Sequence, residues 1–203
     1  MLTVYGDMLS GNCYKVKLLL QFLSLEHRWQ HIDILAGETH TPHFLSINPN
    51  AKIPVLEIDE NTRLWESNAI LNYLADGTVF LPEDRLARSE VLQWQFFEQY
   101  SHEPYIAVAR YINKYLGLPA DRRAEYEAKQ PGGHKALQVM EEALIKQDFF
   151  VGNQVSIADL SLYAYTHVAH EGGFDLGAYP AIRAWFKRVE ALPGYVAMDR
   201  ANG

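Results

Sequence analysis

One cysteine, Cys13, is the whole thiol content of this 203-residue chain. An intramolecular disulfide framework and a Cys-x-x-Cys redox pair are therefore excluded, and the usage fits a reducing compartment. Long apolar runs are missing too, since none approaches the roughly 20 residues that span a bilayer. The start, Met1-Leu2-Thr3-Val4-Tyr5-Gly6-Asp7, lacks the basic stretch and apolar block of a secretory signal. There is no surplus of positive charge: 18 Lys and Arg face 25 Asp and Glu, a formal net charge of −7. That balance argues against nonspecific nucleic-acid binding as the main task, though it says little about small anions, which respond to local fields. Internal repeats, low-complexity tracts and long charge runs are absent as well. The expectation is a soluble cytoplasmic protein with neither membrane nor nucleic acid as a partner.

Apolar residues make up 48% and charged residues 21%, and the length suits one large domain or two small ones. Leu2 to Tyr5 reads as a short strand ending at Gly6. Ser10 then heads a helix with Val16, Leu19, Leu20 and Leu23 at helical spacing. His27 to Ile34 is predicted as a second strand, and Thr41-Pro42 opens one short helical turn through Leu45. Ile53 to Ile58 and Arg63 to Trp65 form a hairpin around Asp59-Glu60-Asn61, and Glu66 to Ala75 is a helix. Beyond Asp76-Gly77 the pattern is helical throughout. Leu86 to Leu116 predicts one long helix, kinked or loosened near Pro104. Asp121 to Lys129 is a further helix, interrupted at Pro131-Gly132-Gly133, and another runs to about Lys146. Ser156 to Ala169 and Ala181 to Leu192 complete the set. This divides the chain into an α/β N-terminal domain over 1–77 with the βαβαββα order of thioredoxin-like domains, a linker over 78–84, and an all-α domain over 85–203.

Two segments carry the most chemistry. Ile53-Pro54-Val55-Leu56 is a strand entered through a proline, which lacks a donor and belongs at an entrance or a tight, cis-compatible turn. Backbone beside it is left to pair with something other than the sheet. Ten residues after Leu56 comes Glu66-Ser67-Asn68-Ala69-Ile70, a helix start with an acid and a hydroxyl. A helix N-terminus offers unpaired N–H groups and partial positive charge, which suit a carboxylate. Together the segments are able to clamp a small peptide. Each part also has a plainer role: Ser67 as an N-cap, Glu66 as a first-turn acid complementing the helix dipole, Pro54 as a strand boundary.

The pairing of these segments resembles the glutathione-binding half of the cytosolic glutathione S-transferases. Val155-Ser156-Ile157-Ala158-Asp159-Leu160 extends the resemblance to the helical half, because it reads as a capping box, Ser156 with Asp159, inside a hydrophobic staple, and matches the buried capping motif of that family. The resemblance implies a thioredoxin-like fold plus a helical domain, glutathione as co-substrate with no metal, a homodimer, and a bacterial, theta-like, serine-type member. Residue by residue, it implies that Glu66 and Ser67 hold the γ-glutamyl end and that Ile53, ahead of Pro54, pairs backbone to backbone with the cysteinyl part. It places Lys52 and His40 near the glycine carboxylate, with Thr39 replacing His40 if the loop shifts by one residue.

Ser10-Gly11-Asn12-Cys13-Tyr14-Lys15 sits where a strand hands over to a helix. The resemblance makes Ser10 the donor to glutathione sulfur. A free thiol with a pKa near 8.5 is mostly protonated at neutral pH, and a charge-assisted hydrogen bond of roughly 1.5–3 kcal/mol lowers that by about one to two units. Asn12 is the second candidate donor, since some bacterial relatives use asparagine there. Cys13 is a third candidate, through a mixed disulfide with glutathione as in the family's cysteine-type classes; the cysteine of those classes aligns with Ser10, and Cys13, three positions into the helix, is read first as a core residue. Tyr5 is a further candidate, read first as a strand residue packed beneath the site.

For the second substrate, a small hydrophobic electrophile, the candidates are His102, Tyr105 and Arg110, with His167 and His170 from a later helix; packing or solvent contact is the plain alternative for each. Trp94, Phe97 and Tyr100 recur at i, i+3 and i+6 and read as core or subunit contact. Three functions fit: a transferase, a glutathione-dependent peroxidase or disulfide-bond reductase, and a non-catalytic binding partner.

Overall fold

A computed structural model of the protein describes residues 1–198, which fall into two compact units. One comprises Met1–Asp76 with residues 193–198, the other Gly77–Leu192. Segment 78–84, read as a linker, is an integral part of the second unit: Phe80 and Leu81 are buried, and Phe80 O accepts from Ile157 N at 2.9 Å. Residues 193–198, read with the helical domain, instead join the first unit, where the buried Tyr14 places its hydroxyl on Val196 O at 2.7 Å. The last residues of that expected domain, 199–203, lie outside the described residues.

The first unit holds a four-stranded mixed sheet in the order β2-β1-β3-β4. Its strands are β1 (Leu2–Gly6), β2 (His27–His31), β3 (Val55–Asp59) and β4 (Thr62–Trp65). β1 runs parallel to β2 and antiparallel to β3, and β3 and β4 form the expected hairpin. β2 stops three residues short of the expected Ile34, where Asp33 folds back to accept from Leu35 N and Ala36 N. Side chains alternate across the sheet. Tyr5 and Val55 pack with Ile32, Phe44 and Ile47 on the face covered by α2 (Pro42–Ile47). Val4, Gly6 and Leu56 face the other way, toward α1 (Gly11–Phe22). That face permits no side chain at position 6: a Cβ there would stand 2.8 Å from Cys13 Sγ. α3 (Ser67–Ala75) packs beside α1.

α1 is buried more completely than its apolar spacing predicts, since Lys15 and Lys17 are enclosed along with Val16 and Leu18–Leu20. Both lysines find polar ends: Lys15 Nζ reaches Asn68 Oδ1 at 3.4 Å, and Lys17 Nζ meets His27 Nε2 at 3.3 Å.

The second unit is helical: α4 (Arg85–Phe97), α5 (Glu103–Arg110), α6 (Arg123–Leu144), α7 (Ile157–Thr166) and α8 (Pro180–Glu190). The long helix predicted around Pro104 takes a particular form. A π-helical turn, Glu98–His102, joins α4 to α5, and a second, Tyr111–Tyr115, follows α5. Proline in a helix removes one N–H and crowds the carbonyl four residues earlier, and the wider turn makes room for it. The expected break at Pro131-Gly132-Gly133 does not occur, for α6 runs straight through it. Pro131 lies on the exposed side, where water can take the carbonyl it leaves unpaired. The glycines serve packing: a Cβ on Gly132 would collide with the Tyr105 ring, and one on Gly133 with Phe174. Among the described residues no helix is long and apolar enough to cross a membrane.

α7 carries the expected capping box. Ser156 Oγ accepts from Ala158 N, and Asp159 Oδ2 accepts from Ser156 N at 2.9 Å. Asp159 also takes Phe150 N at 3.1 Å and Trp185 Nε1 at 3.0 Å, tying the cap to α8 and to the preceding loop.

Candidate functional site

The chain leaves β1 through a tight bend in which Asp7 Oδ1 accepts from Leu9 N and Asp7 O from Ser10 N. Ser10 therefore stands at the N-cap position of α1 in extended backbone, yet its side chain makes no cap bond. It hydrogen-bonds the Cys13 sulfur instead. This draws the Cys13 thiol down only slightly; complete burial pushes it up to about 12. Such a thiol does not ionise near neutral pH, so Cys13 is a core residue. Tyr5 is engaged with another partner. Its hydroxyl donates to Glu57 Oε2 at 3.2 Å, and burial together with that carboxylate raises its pKa.

The second helix start follows the same pattern. Ile53-Pro54 is a cis peptide, and Ile53 lies ahead of β3, outside the last ladder pair of Tyr5 with Val55. Glu66, not Ser67, takes the N-cap position of α3, and it does so at φ 69°, ψ 111°. A bulky residue held there costs on the order of 1–3 kcal/mol. The Glu66 side chain does not cap α3 either; it is exposed, with Asn50 Nδ2 3.5 Å from Oε1. Ser67, 5% exposed, donates to Asn12 Oδ1 at 3.0 Å, so the two helix starts are bonded to each other.

Ser10, Asn12, Glu66 and Ser67 thus belong to one neighbourhood built from the N-termini of α1 and α3. Lys52 is exposed, and its carbonyl accepts from Asn48 Nδ2 at 2.7 Å. Asn48 also accepts from Asn50 N, so this buried side chain shapes the loop that carries Asn50, Lys52 and Ile53. Asn48 and Asn50 were missed in the sequence, although Asn48-Pro49-Asn50 is a turn signal of the kind that marks such a loop. His40 is exposed at the end of a 3₁₀ turn, whereas Thr39 is buried beneath it. A concavity of about 390 Å³ lies elsewhere on the unit, beside α2, lined by Tyr5, Gln30, Ile32, Phe44 and Ile47 among others.

In the helical unit, two of the three second-substrate candidates are enclosed. His102 is fully enclosed, with Nε2 2.9 Å from Thr166 Oγ1. The Thr166 hydroxyl already donates to Leu162 O, so His102 Nε2 carries the proton between them. Arg110 is 3% exposed, with Nε on Glu171 Oε2 at 2.6 Å and its guanidinium over the Tyr115 ring. Both hold helices together. His167 is likewise engaged, stacked on Tyr163, with burial lowering its pKa to about 4. Tyr105 is different: it lines a 180 Å³ concavity with Phe97, Tyr100, Ser101, Lys135 and Val139. The aromatic trio also divides. Trp94 packs on Phe150 at 4.6 Å, Phe97 is half-buried, and Tyr100 is 86% exposed.

Residues 1–76 match the family model for the glutathione S-transferase N-terminal domain, and residues 94–193 match that for the C-terminal domain. A crystal structure of a glutathione S-transferase from Pseudomonas fluorescens [Pf-5] is 60% identical, covering 97% of this chain and 98% of its own, with a TM-score of 0.95. The glutathione transferase URE2P6 from Phanerochaete chrysosporium, solved in complex with oxidized glutathione, is 28% identical over 95% of this chain and 92% of its own, with a TM-score of 0.85. The disulfide-bond oxidoreductase YfcG of Escherichia coli (strain K12) is 29% identical over 189 residues, 90% of this chain and 87% of that protein. Two helix starts that leave their hydroxyls off their own backbones, a cis-proline loop beside them and matches over both halves lead to one conclusion: the chain belongs to the glutathione S-transferase family of enzymes.

Proposed function

We propose that the chain binds glutathione in its first unit and stabilises the thiolate for attack on a small hydrophobic electrophile. The observation that supports this best is the joined pair of uncapped helix starts at Ser10 and at Glu66-Ser67. Each offers N–H groups and positive dipole to an anion. In this reading Glu66 takes the ligand's ammonium, Ser67 and the first turn of α3 take the γ-glutamyl carboxylate, and Ile53 pairs by its backbone with the cysteinyl part. Lys52 and His40 attract the glycine carboxylate. The sulfur lies at the start of α1, where Ser10 and Asn12 are the donors that hold it ionised. The proposed residues include no metal ligand. Tyr105 is the remaining side chain proposed for the electrophile.

Asn12 and the similarity to a disulfide-bond oxidoreductase support a second reading, in which the same thiolate attacks a disulfide or peroxide. We also propose a homodimer. Leu92, Phe96 and Tyr100 form an exposed apolar stripe at i, i+4 and i+8, joined by Val139 from α6, and closed two-fold dimers are the commonest soluble oligomer. Light scattering at micromolar concentration should give twice 23.2 kDa, and a monomer overturns this.

Glutathione titration with ultraviolet detection of thiolate tests the site. The bound thiol should ionise about one to two units below its free value. A panel of aryl halides, epoxides, peroxides and disulfides then separates the two chemistries. Absence of any thiolate signal at saturating glutathione rejects the site itself.

A further inference from the structure

At the end of α1 away from Ser10, the chain turns back through a strained residue. Ser24 sits at φ 52°, in the left-handed region that glycine usually fills. Ser24 N donates to Gln21 O and Leu25 N to Leu20 O, the paired bonds that close a helix and reverse its chain. The reversal brings His27 beside Lys17. His27 Nδ1 lies 2.8 Å from Leu25 O, and a carbonyl only accepts, so Nδ1 carries the proton and Nε2 of the neutral ring is an acceptor. That acceptor stands 3.3 Å from Lys17 Nζ. Trp29, itself held by Nε1 on Gly6 O, flanks the amine with its ring centroid 5.6 Å away. Lys17 is 7% exposed, and among the described residues no carboxylate pairs with it. Burial lowers its ammonium below the ordinary lysine value. Lys17, His27, Leu20 and Leu25 line an open depression of about 570 Å³.

A nucleophile, a base within its reach and a carbonyl that orients the base are the parts of an activated amine. We propose that Lys17 is an acyl acceptor, whose amine takes the acyl group of a small thioester with His27 as general base. The ammonium first gives one proton through His27 Nε2 to water. The free amine attacks the thioester carbonyl carbon, and a C–N bond forms as the C–S bond breaks. His27 carries a second proton from the nitrogen to the departing thiolate, so an amide and a thiol result. The amide removes a cation from an enclosed position, which favours the product. Simple anion binding suits the cluster less well, because His27 presents a lone pair to the depression's cation where an anion needs a donor. The Glu26 carboxylate on the same wall repels an acyl phosphate, whereas a thioester is uncharged at its reacting carbonyl. This acceptor lies past the far end of α1 from Ser10 and does not rest on the glutathione reading.

Incubation with S-acetyl-N-acetylcysteamine at neutral pH, followed by peptide mass mapping, tests the proposal. Lys17 should be acetylated at least about tenfold faster than the exposed Lys146. His27→Gln keeps an acceptor near the amine but no base. It should slow Lys17 on the order of a hundredfold and leave Lys146 unchanged. Equal rates at the two lysines of the native protein overturn the proposal. So does a Lys17 rate that His27→Gln leaves untouched in a cooperatively melting variant. Should that variant not fold, the native protein still decides. Long-range ¹⁵N–¹H spectra of its histidine rings, with His27 identified by its contacts to Leu25, should show Nε2 bare and Nδ1 protonated at neutral pH. A proton on Nε2 removes the base and sinks the assignment. Glutathione is absent from these assays, so their failure leaves the glutathione reading as it stands.

Discussion

Ser10 and Ser67 in the first unit and Ser156 in the second all stand at helix starts ahead of apolar runs, and they use their hydroxyls in opposite ways. Ser156 accepts from Ala158 N of its own helix, and its partner Asp159 collects Phe150 N, Ser156 N, Ser156 Oγ and Trp185 Nε1. Ser10 and Ser67 make no cap bond, and the backbone at Glu66 is strained rather than relaxed. One helix start is closed on itself and fully buried; the other two leave their first N–H groups without a side-chain cap, beside an exposed carboxylate. Closing a helix gains stability, and leaving it open keeps an anion site. The same residue type in the same local pattern is therefore structural or functional according to where its proton goes.

The largest effect should come from the closed start. Asp159→Ala removes the acceptor of four donors in an enclosed site, and each buried donor left unsatisfied costs about 1–3 kcal/mol. Urea unfolding should show a loss of about 4 kcal/mol or more, or no folded second unit at all. A loss below about 1 kcal/mol would remove the contrast between the two kinds of helix start.

At the open start the sign should reverse. Glu66→Gly relieves the positive φ and deletes the carboxylate. Stability should rise by about 1 kcal/mol, while glutathione affinity falls by the 2–5 kcal/mol typical of an ion pair losing one partner in a desolvated pocket. Calorimetric titration and thermal melting on one sample read both quantities. A variant that is less stable, or that binds glutathione unchanged, breaks the assignment of Glu66.

Why the two kinds of start look alike in the sequence follows from what the pattern encodes. Ser156 with Asp159 three residues on is a local signature, and local hydrogen bonds realise it. The βαβαββα order, the helical second half and the cluster of Ser10, Glu66 and Ser67 were legible for the same reason: periodicity, turn residues and a proline-entered strand are all short-range signals. The bond from Ser67 to Asn12 crosses between helices and leaves no local trace. Nor does the enclosure of His102 and Arg110, whose partners Thr166 and Glu171 come from distant segments. Gly132 and Gly133 misled in the opposite sense. Locally they break helices, but their want of a Cβ admits the Tyr105 and Phe174 rings, and that packing outweighs the propensity cost of about 1 kcal/mol each.

A smaller effect concerns acid. His167 is neutral in the fold with its pKa held near 4 by burial, and an unfolded histidine titrates near 6.5. Its contribution is complete above pH 6.5 and is lost as pH falls toward 4. Asp159 runs the other way: burial lifts it to about 6 against its four donors, so its contribution is complete below about pH 4 and is lost as pH rises through 6. Between pH 4 and 6 the two slopes oppose. His167→Gln leaves the Asp159 slope alone, so acidification from pH 7 to 4.5 should favour the variant over the native protein by about 2 kcal/mol in urea midpoints converted at constant m. Parallel stability curves for the two proteins would show that His167 titrates normally.

The smallest effect is expected at the one cysteine, which lies beside the open start yet takes no part in it. Its sulfur is wholly enclosed, with Gly6 leaving no room for even a methyl group against it, and burial holds the thiol near pKa 12. At neutral pH the thiol then stays protonated, which leaves it unsuited to covalent chemistry with a disulfide or electrophile. Cys13→Ala should therefore leave the thiolate titration of bound glutathione and the transfer rate unchanged. The packing loss should be about 1 kcal/mol, the scale of one buried methylene. A large fall in rate with intact cooperative unfolding would place the chemistry on Cys13 and overturn the division between an uncapped serine that serves a ligand and a buried thiol that serves the core.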